Sequence, residues 1–142
     1  MKKLILSFVF LMLMTAGYSQ QSLDCDKYSV FNKSSNPDLG IVIYTNDAET
    51  VWNILRLATY AQAKGDTVVI FLLAKGIDGF QSKEKDFDLE PLKDIFIENG
   101  GQIIACATCA KQRDTEEIGM CTIASMADMY MIIKKSKKVI TF

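Results

Sequence analysis

The chain has 142 residues, 49% of them apolar, which suits one globular domain with a full core. Its 16 Lys and Arg face 17 Asp and Glu with no long basic run between aromatics, and this argues against a nucleic-acid partner. Histidine is absent, which excludes Ser-His and Cys-His catalysis and any His-ligated zinc, haem or mononuclear iron site built from this chain alone.

Lys2-Lys3 followed by the apolar run Leu4 to Met14 reads as an export signal. At ~1.5 Å per residue that run reaches roughly 16 Å, about half the hydrocarbon thickness a spanning helix must cross. Gly17 and Ser19 supply small residues for cleavage after Ser19 or Gln20. Residues 1–20 are therefore expected to be removed, leaving a periplasmic or secreted protein with no membrane segment. Loss of Lys2 and Lys3 leaves 14 basic against 17 acidic residues, a net charge of −3. A lipidated Cys25 fits less well, because Asp24 stands before it where such processing favours a small residue.

Residues 21–38 are polar with a turn cluster from Asn32 to Pro37, and read as an N-terminal arm before a domain over 39–142. Leu39 to Thr45 is the continuous apolar, β-branched run of a strand covered on both faces. Asn46 and Asp47 precede a helix over Ala48 to Lys64, with Val51, Ile54, Leu55, Ala58 and Ala61 at helical spacing and Gly65 past its end. Both polar residues could line the edge of a site at the strand end, although capping of that helix is the simpler role. Thr67 to Leu73 repeats the buried-strand pattern, so strand, helix and strand form a βαβ unit in a mostly parallel sheet.

Ala74 to Asp88 is read as a loop in the position where α/β proteins place binding segments. Its Gly76 and Gly79 match neither a P-loop nor a dinucleotide fingerprint, and no cofactor is expected. A helix over Leu89 to Asn99, closed by Gly100-Gly101, leads into a short strand at Gln102 to Ala105. Ser125 and Asp128 resemble a capping box for a helix to about Lys135, and Lys138 to Thr141 reads as a last strand. The lysines at 134, 135, 137 and 138 read as a helix end, where cations are favoured, more readily than as an anion-binding patch. Trp52, Met126, Met129 and Met131 sit in helical patterns and are expected to pack. The expected architecture is a three-layer α/β/α sandwich with a mostly parallel sheet.

Chemistry concentrates in the cysteines, Cys25, Cys106, Cys109 and Cys121. Cys106 falls at the carboxyl end of a strand, where a following helix would aim free N–H groups at its sulfur and favour the thiolate. Lys111 and Arg113 would act in the same direction if they fold back toward it. Cys106 and Cys109 make a C-x-x-C pair, a spacing that suits a redox disulfide. Cys121 follows Gly119-Met120 in an expected loop and could approach the pair or serve as a core thiol. The four cysteines could also form two structural disulfides in any of three connectivities, or supply four thiolates to a zinc or iron–sulfur site.

The segment Cys106-Ala-Thr-Cys109-Ala-Lys-Gln-Arg113 after an Ile-Ile strand resembles the DsrE/DsrF-like sulfur-relay family, as does the ending from Met126 to Phe142, a helix and then a short strand finishing in Phe. The resemblance runs over roughly Leu39 to Phe142. It implies a flavodoxin-like DsrE-type sandwich, assembled as a trimer or hexamer, whose cysteine at position 106 accepts sulfur as a persulfide and hands it to a partner protein or small thiol. The chain departs from the family pattern at Asp114, where a glycine is usual, at Cys109, where the carrier subunits have another residue, and in its export signal. Three functions follow as expectations. The first is sulfur transfer by a persulfide on Cys106, with Cys109 or Cys121 releasing the sulfur. The second is thiol–disulfide redox, with Cys106 attacking and Cys109 resolving. The third is a non-enzymatic binding or assembly protein with its cysteines locked in disulfides.

Overall fold

The computed structural model describes Phe31, residues 36–115 and residues 118–142. The expected export segment, Cys25 and much of the expected arm lie outside the described residues. Five strands, β1 (Leu39–Ile43), β2 (Val68–Leu72), β3 (Gln102–Cys106), β4 (Thr122–Ala124) and β5 (Lys138–Thr141), form one sheet in the order β4-β3-β2-β1-β5. Every pairing is parallel, with Ile41 opposite Ile70 and Ile140, and Ile70 opposite Ile103.

The helices are α1 (Ala48–Ala63), α2 (Gly76–Phe80), α3 (Glu90–Glu98), α4 (Ala107–Lys111) and α5 (Met126–Lys135). Strand order dictates where the long ones lie. The steps from β1 to β2 to β3 move one way along the sheet, so right-handed crossovers put α1 and α3 on the same face. The step from β4 to β5 returns the other way, so α5 covers the opposite face. Strand residues alternate accordingly: Ile41, Ile43, Ile70, Leu72 and Ile103 join Leu55, Ala58 and Phe96 in one buried cluster. Val42, Val69, Phe71 and Ile104 join Ile132 and Phe31 in a second. The three-layer sandwich expected from sequence is the observed architecture.

Asp47 caps α1, accepting the Thr50 N–H at 2.7 Å, and that bond holds its carboxyl below the usual range. The capping box at Ser125 and Asp128 forms, and Asp128, fully buried, also accepts the Phe31 N–H at 2.8 Å. Lys134 and Lys135 lie in the last turn of α5, as the helix-end reading required. Lys137 instead forms an ion pair with Asp38, whose carboxyl is held low by that lysine and by Thr67.

Three expectations need correction. Ala74 to Asp88 is not all loop, because α2 forms within it. Thr122–Ala124 is an edge strand that three residues beside a polar loop do not announce. Met126 is 54% exposed rather than packed, whereas Met129 and Met131 pack on the second cluster.

Candidate functional site: the thiol pair at the end of β3

The alternation along β3 sends Ile104 and Cys106 to the α5 face, and Cys106 is 2% exposed among Ile104, Phe71 and Ala124. There the strand ends. Cys106 takes an extended conformation at the N-cap of α4, where its side chain makes no capping hydrogen bond, although the nearby Thr108 and Cys109 N–H groups favour its charged form. Its titrating neighbour is the Cys109 thiol. Burial pushes the Cys106 thiol up, the adjacent Cys109 thiol adds to that, and the two N–H donors oppose it without winning. The thiolate expected from the helix start is therefore outweighed by the cost of charge in an apolar cluster.

Cys109 is half-buried and packs against both clusters. Its Sγ accepts the Ala74 N–H at 3.2 Å. Ala74 presents that N–H from a left-handed conformation, φ +49°, which costs an alanine roughly 1 kcal/mol or more. The bend follows directly on β2: the Leu73 N–H still donates to the Ile43 carbonyl, and the Gly76 N–H then donates back to the Leu73 carbonyl, both at 2.8 Å.

Gly76 and Gly79 set how closely α2 crosses the end of β1. A Cβ at Gly76 would lie 2.0 Å from the Ile43 carbonyl oxygen, and one at Gly79 would lie 2.6 Å from that of Thr45. The crossing brings Asp78 to Arg113, whose Nε donates to Asp78 Oδ1 at 2.8 Å while Nη1 donates to the Cys109 carbonyl at 3.1 Å. Asp78 does most to hold the Arg113 charge in place, through that hydrogen bond and its own charge. Arg113 thus folds back onto the Cys109 carbonyl, and Lys111 stays exposed.

Asp114 has φ +49°, and the Asp114 and Thr115 N–H groups bond to the Lys111 and Ala110 carbonyls. These are the two closing bonds of a Schellman motif, whose left-handed residue is usually glycine and which aspartate tolerates. The turn that delivers Arg113 therefore survives the missing glycine.

Cys121 lies just before β4 and packs on the first cluster, away from the α5 face that holds Cys106. Burial pushes its thiol up to about 12, with Lys93 pulling weakly the other way. Cys106, Cys109 and Cys121 all carry free thiols, and the structure brings the first two together. Among the described residues no group of three His, Cys, Asp or Glu side chains is placed to hold a metal, and no helix is long and apolar enough to cross a membrane. Asn46 and Asp47 make no hydrogen bond to the pair. An open hollow of about 560 Å³ beside α4 is lined by Ala107, Ala110, Lys111, Asp114, Thr115 and Ile123, without either sulfur. Sequence reasoning missed Ala74 and Asp78, which reach the site from 35 residues away, and only the two glycines hinted at a close crossing there.

An all-parallel α/β/α sandwich with a thiol pair at the carboxyl end of an inner strand defines a class of small cysteine-bearing domains. The chain belongs to the DsrE/DsrF-like family, which it matches over residues 39–142. It is similar to an uncharacterized protein of Methanocaldococcus jannaschii, 33% identical over 101 residues that cover 66% of this chain and 88% of that one. A second uncharacterized protein, from Methanopyrus kandleri, is 34% identical over 101 residues, covering 66% and 83%. The fold is that of the ychN protein from E. coli, with a TM-score of 0.63 at 19% identity over 75% of this chain and 99% of that one.

Proposed function

We propose that this protein carries sulfane sulfur as a persulfide on Cys106 and passes it to a thiol acceptor, either a partner protein or a small thiol. Membership of the DsrE/DsrF-like family supports sulfur relay as the general activity. The observation that carries the specific reading is the setting of Cys106. It ends β3 beside a second thiol, sits at the start of α4 where the Thr108 and Cys109 N–H groups favour a charged sulfur, and lies within the field of an arginine clamped by Asp78. A persulfide is more acidic than a thiol, so the N–H donors and Arg113 suit a sulfur that becomes anionic once loaded.

The proposal includes export, supported by the Lys2-Lys3 start, the apolar run and the small residues at Gly17 and Ser19. It also includes a homo-oligomer of three or six copies, which the exposed Leu57, Tyr60 and Ile95 of α1 and α3 support.

The adjacency of Cys106 and Cys109 favours a second reading, thiol–disulfide exchange. Cys109→Ser separates the two at the end point. A carrier still gains one sulfur on Cys106 after prolonged incubation with a persulfide donor. An oxidoreductase gains none and accumulates as a mixed disulfide with its substrate.

A further inference from the structure

We propose that Cys109, not Cys106, is the thiol that first meets the sulfur donor, and that Cys106 receives the sulfur from it inside the protein. The inference rests on the carrier reading above and adds the route of entry. Exchange at sulfur needs attacking, transferred and departing sulfur atoms nearly in line, so the donor must have room beyond the attacking thiol. Cys106, 2% exposed in the cluster that holds Phe71, Ile104 and Ile132, has little such room unless the cluster opens. Cys109 sits half-buried between the two clusters, on the helix that Cys106 starts and in the same cluster as Cys106.

The surroundings of Cys109 fit a sulfur that gains and loses charge. The Ala74 N–H is aimed at its Sγ, from a backbone conformation that alanine adopts only at a cost. Arg113 grips the Cys109 carbonyl through Nη1 and is itself fixed by Asp78. A donor dipole and a cation are thus held in place before any substrate arrives, which is the arrangement that stabilises developing anionic charge.

Two exchanges complete the route. In the first, the Cys109 sulfur attacks the outer sulfur of a donor persulfide. A new S–S bond forms, the donor's S–S bond breaks, and the donor leaves as a thiolate that takes up the proton Cys109 has given up. In the second, the Cys106 sulfur attacks the outer sulfur of the Cys109 persulfide. That S–S bond breaks, the proton of the Cys106 thiol passes to the departing Cys109 sulfur, and the persulfide now stands on Cys106. The transferred sulfur keeps its oxidation level throughout, so neither step needs an oxidant or a reductant.

The test combines alkylation with sulfur loading. In the wild-type protein, limiting iodoacetamide followed by site mapping should modify Cys109 at least about tenfold faster than Cys106. With glutathione persulfide as donor, Cys106→Ser should accumulate the added sulfur on Cys109. Cys109→Ser should still load Cys106, but at a rate lowered about tenfold or more. Cys106 alkylated first, or Cys109→Ser loading at the wild-type rate, overturns the proposal. The alkylation arm uses unmodified protein, so an unstable Cys106→Ser variant does not remove the test. Absence of sulfur on either cysteine, with Cys109 still alkylated first, overturns the carrier reading and the transfer step with it, and leaves the order as that of an ordinary dithiol.

Discussion

Asp128→Ala should be among the most damaging single changes outside the sheet. The Asp128 carboxylate is fully buried and accepts hydrogen bonds from the Phe31 N–H at 2.8 Å and from the Ser125 N–H and hydroxyl at 2.9 Å each. Removing it leaves the buried Phe31 N–H without this acceptor, a cost of roughly 1–3 kcal/mol. It also dismantles the capping box of α5, which costs about 1 kcal/mol more. Together these give a loss of roughly 3 kcal/mol, or about 12 °C in Tm for a domain of this size. Chemical denaturation of the purified protein, followed by tryptophan fluorescence from Trp52, measures it. Phe31 and Cys106 belong to one buried cluster, so the same variant should also expose Cys106 and speed its alkylation. A stability loss below about 1 kcal/mol would refute the reasoning that the carboxylate fastens residue 31 to the α5 layer.

Cys121 predicts an alkaline limit to stability. Its folded value of about 12 lies above the ordinary 9.0, so below pH 9 both states keep the proton and the site is neutral to pH. As the pH rises from 9 toward 12 the unfolded chain ionises first. Stability then falls by up to about 1.4 kcal/mol per pH unit, at most about 4 kcal/mol over the gap. Cys121→Ala should flatten that decline between pH 8 and 10.5 in parallel denaturation series, and equal slopes in the two proteins would contradict the burial argument. Asp114→Gly should stabilise the fold by about 0.5 kcal/mol, since glycine accepts φ +49° without strain but adds freedom to the unfolded chain. A loss of stability in the same assay would mean that Asp114 holds the turn by something other than its backbone conformation.

The layers were legible in the sequence because buried parallel strands are continuous apolar runs. Leu39 to Thr45 and Thr67 to Leu73 stand out as such, and Asp47, Ser125 and the Gly100-Gly101 pair mark helix ends by local chemistry. The boundaries ran long because apolar character continues past the last paired residue: Leu73 is apolar and still bonds to Ile43, yet it already belongs to the bend that aims the Ala74 N–H. β4 was missed because three residues carry no period. Of the site, the C-x-x-C pair and Arg113 were legible from spacing. Ala74 and Asp78 were not, because an alanine at positive φ and an acid on a five-residue helix carry no local sign of a partner 35 residues away. The burial of Cys106 was also hidden, since alternation along β3 gives its face but not how completely Ile132 and Phe31 cover that face.

Intact mass of the protein before and after reduction, and again after incubation with glutathione persulfide, tests the central claim most directly when the modified residue is mapped. The account predicts one reductant-labile added sulfur, resident on Cys106 at completion. A protein that gains no sulfur, and whose Cys106 and Cys109 only cycle between a disulfide and two thiols, would contradict it.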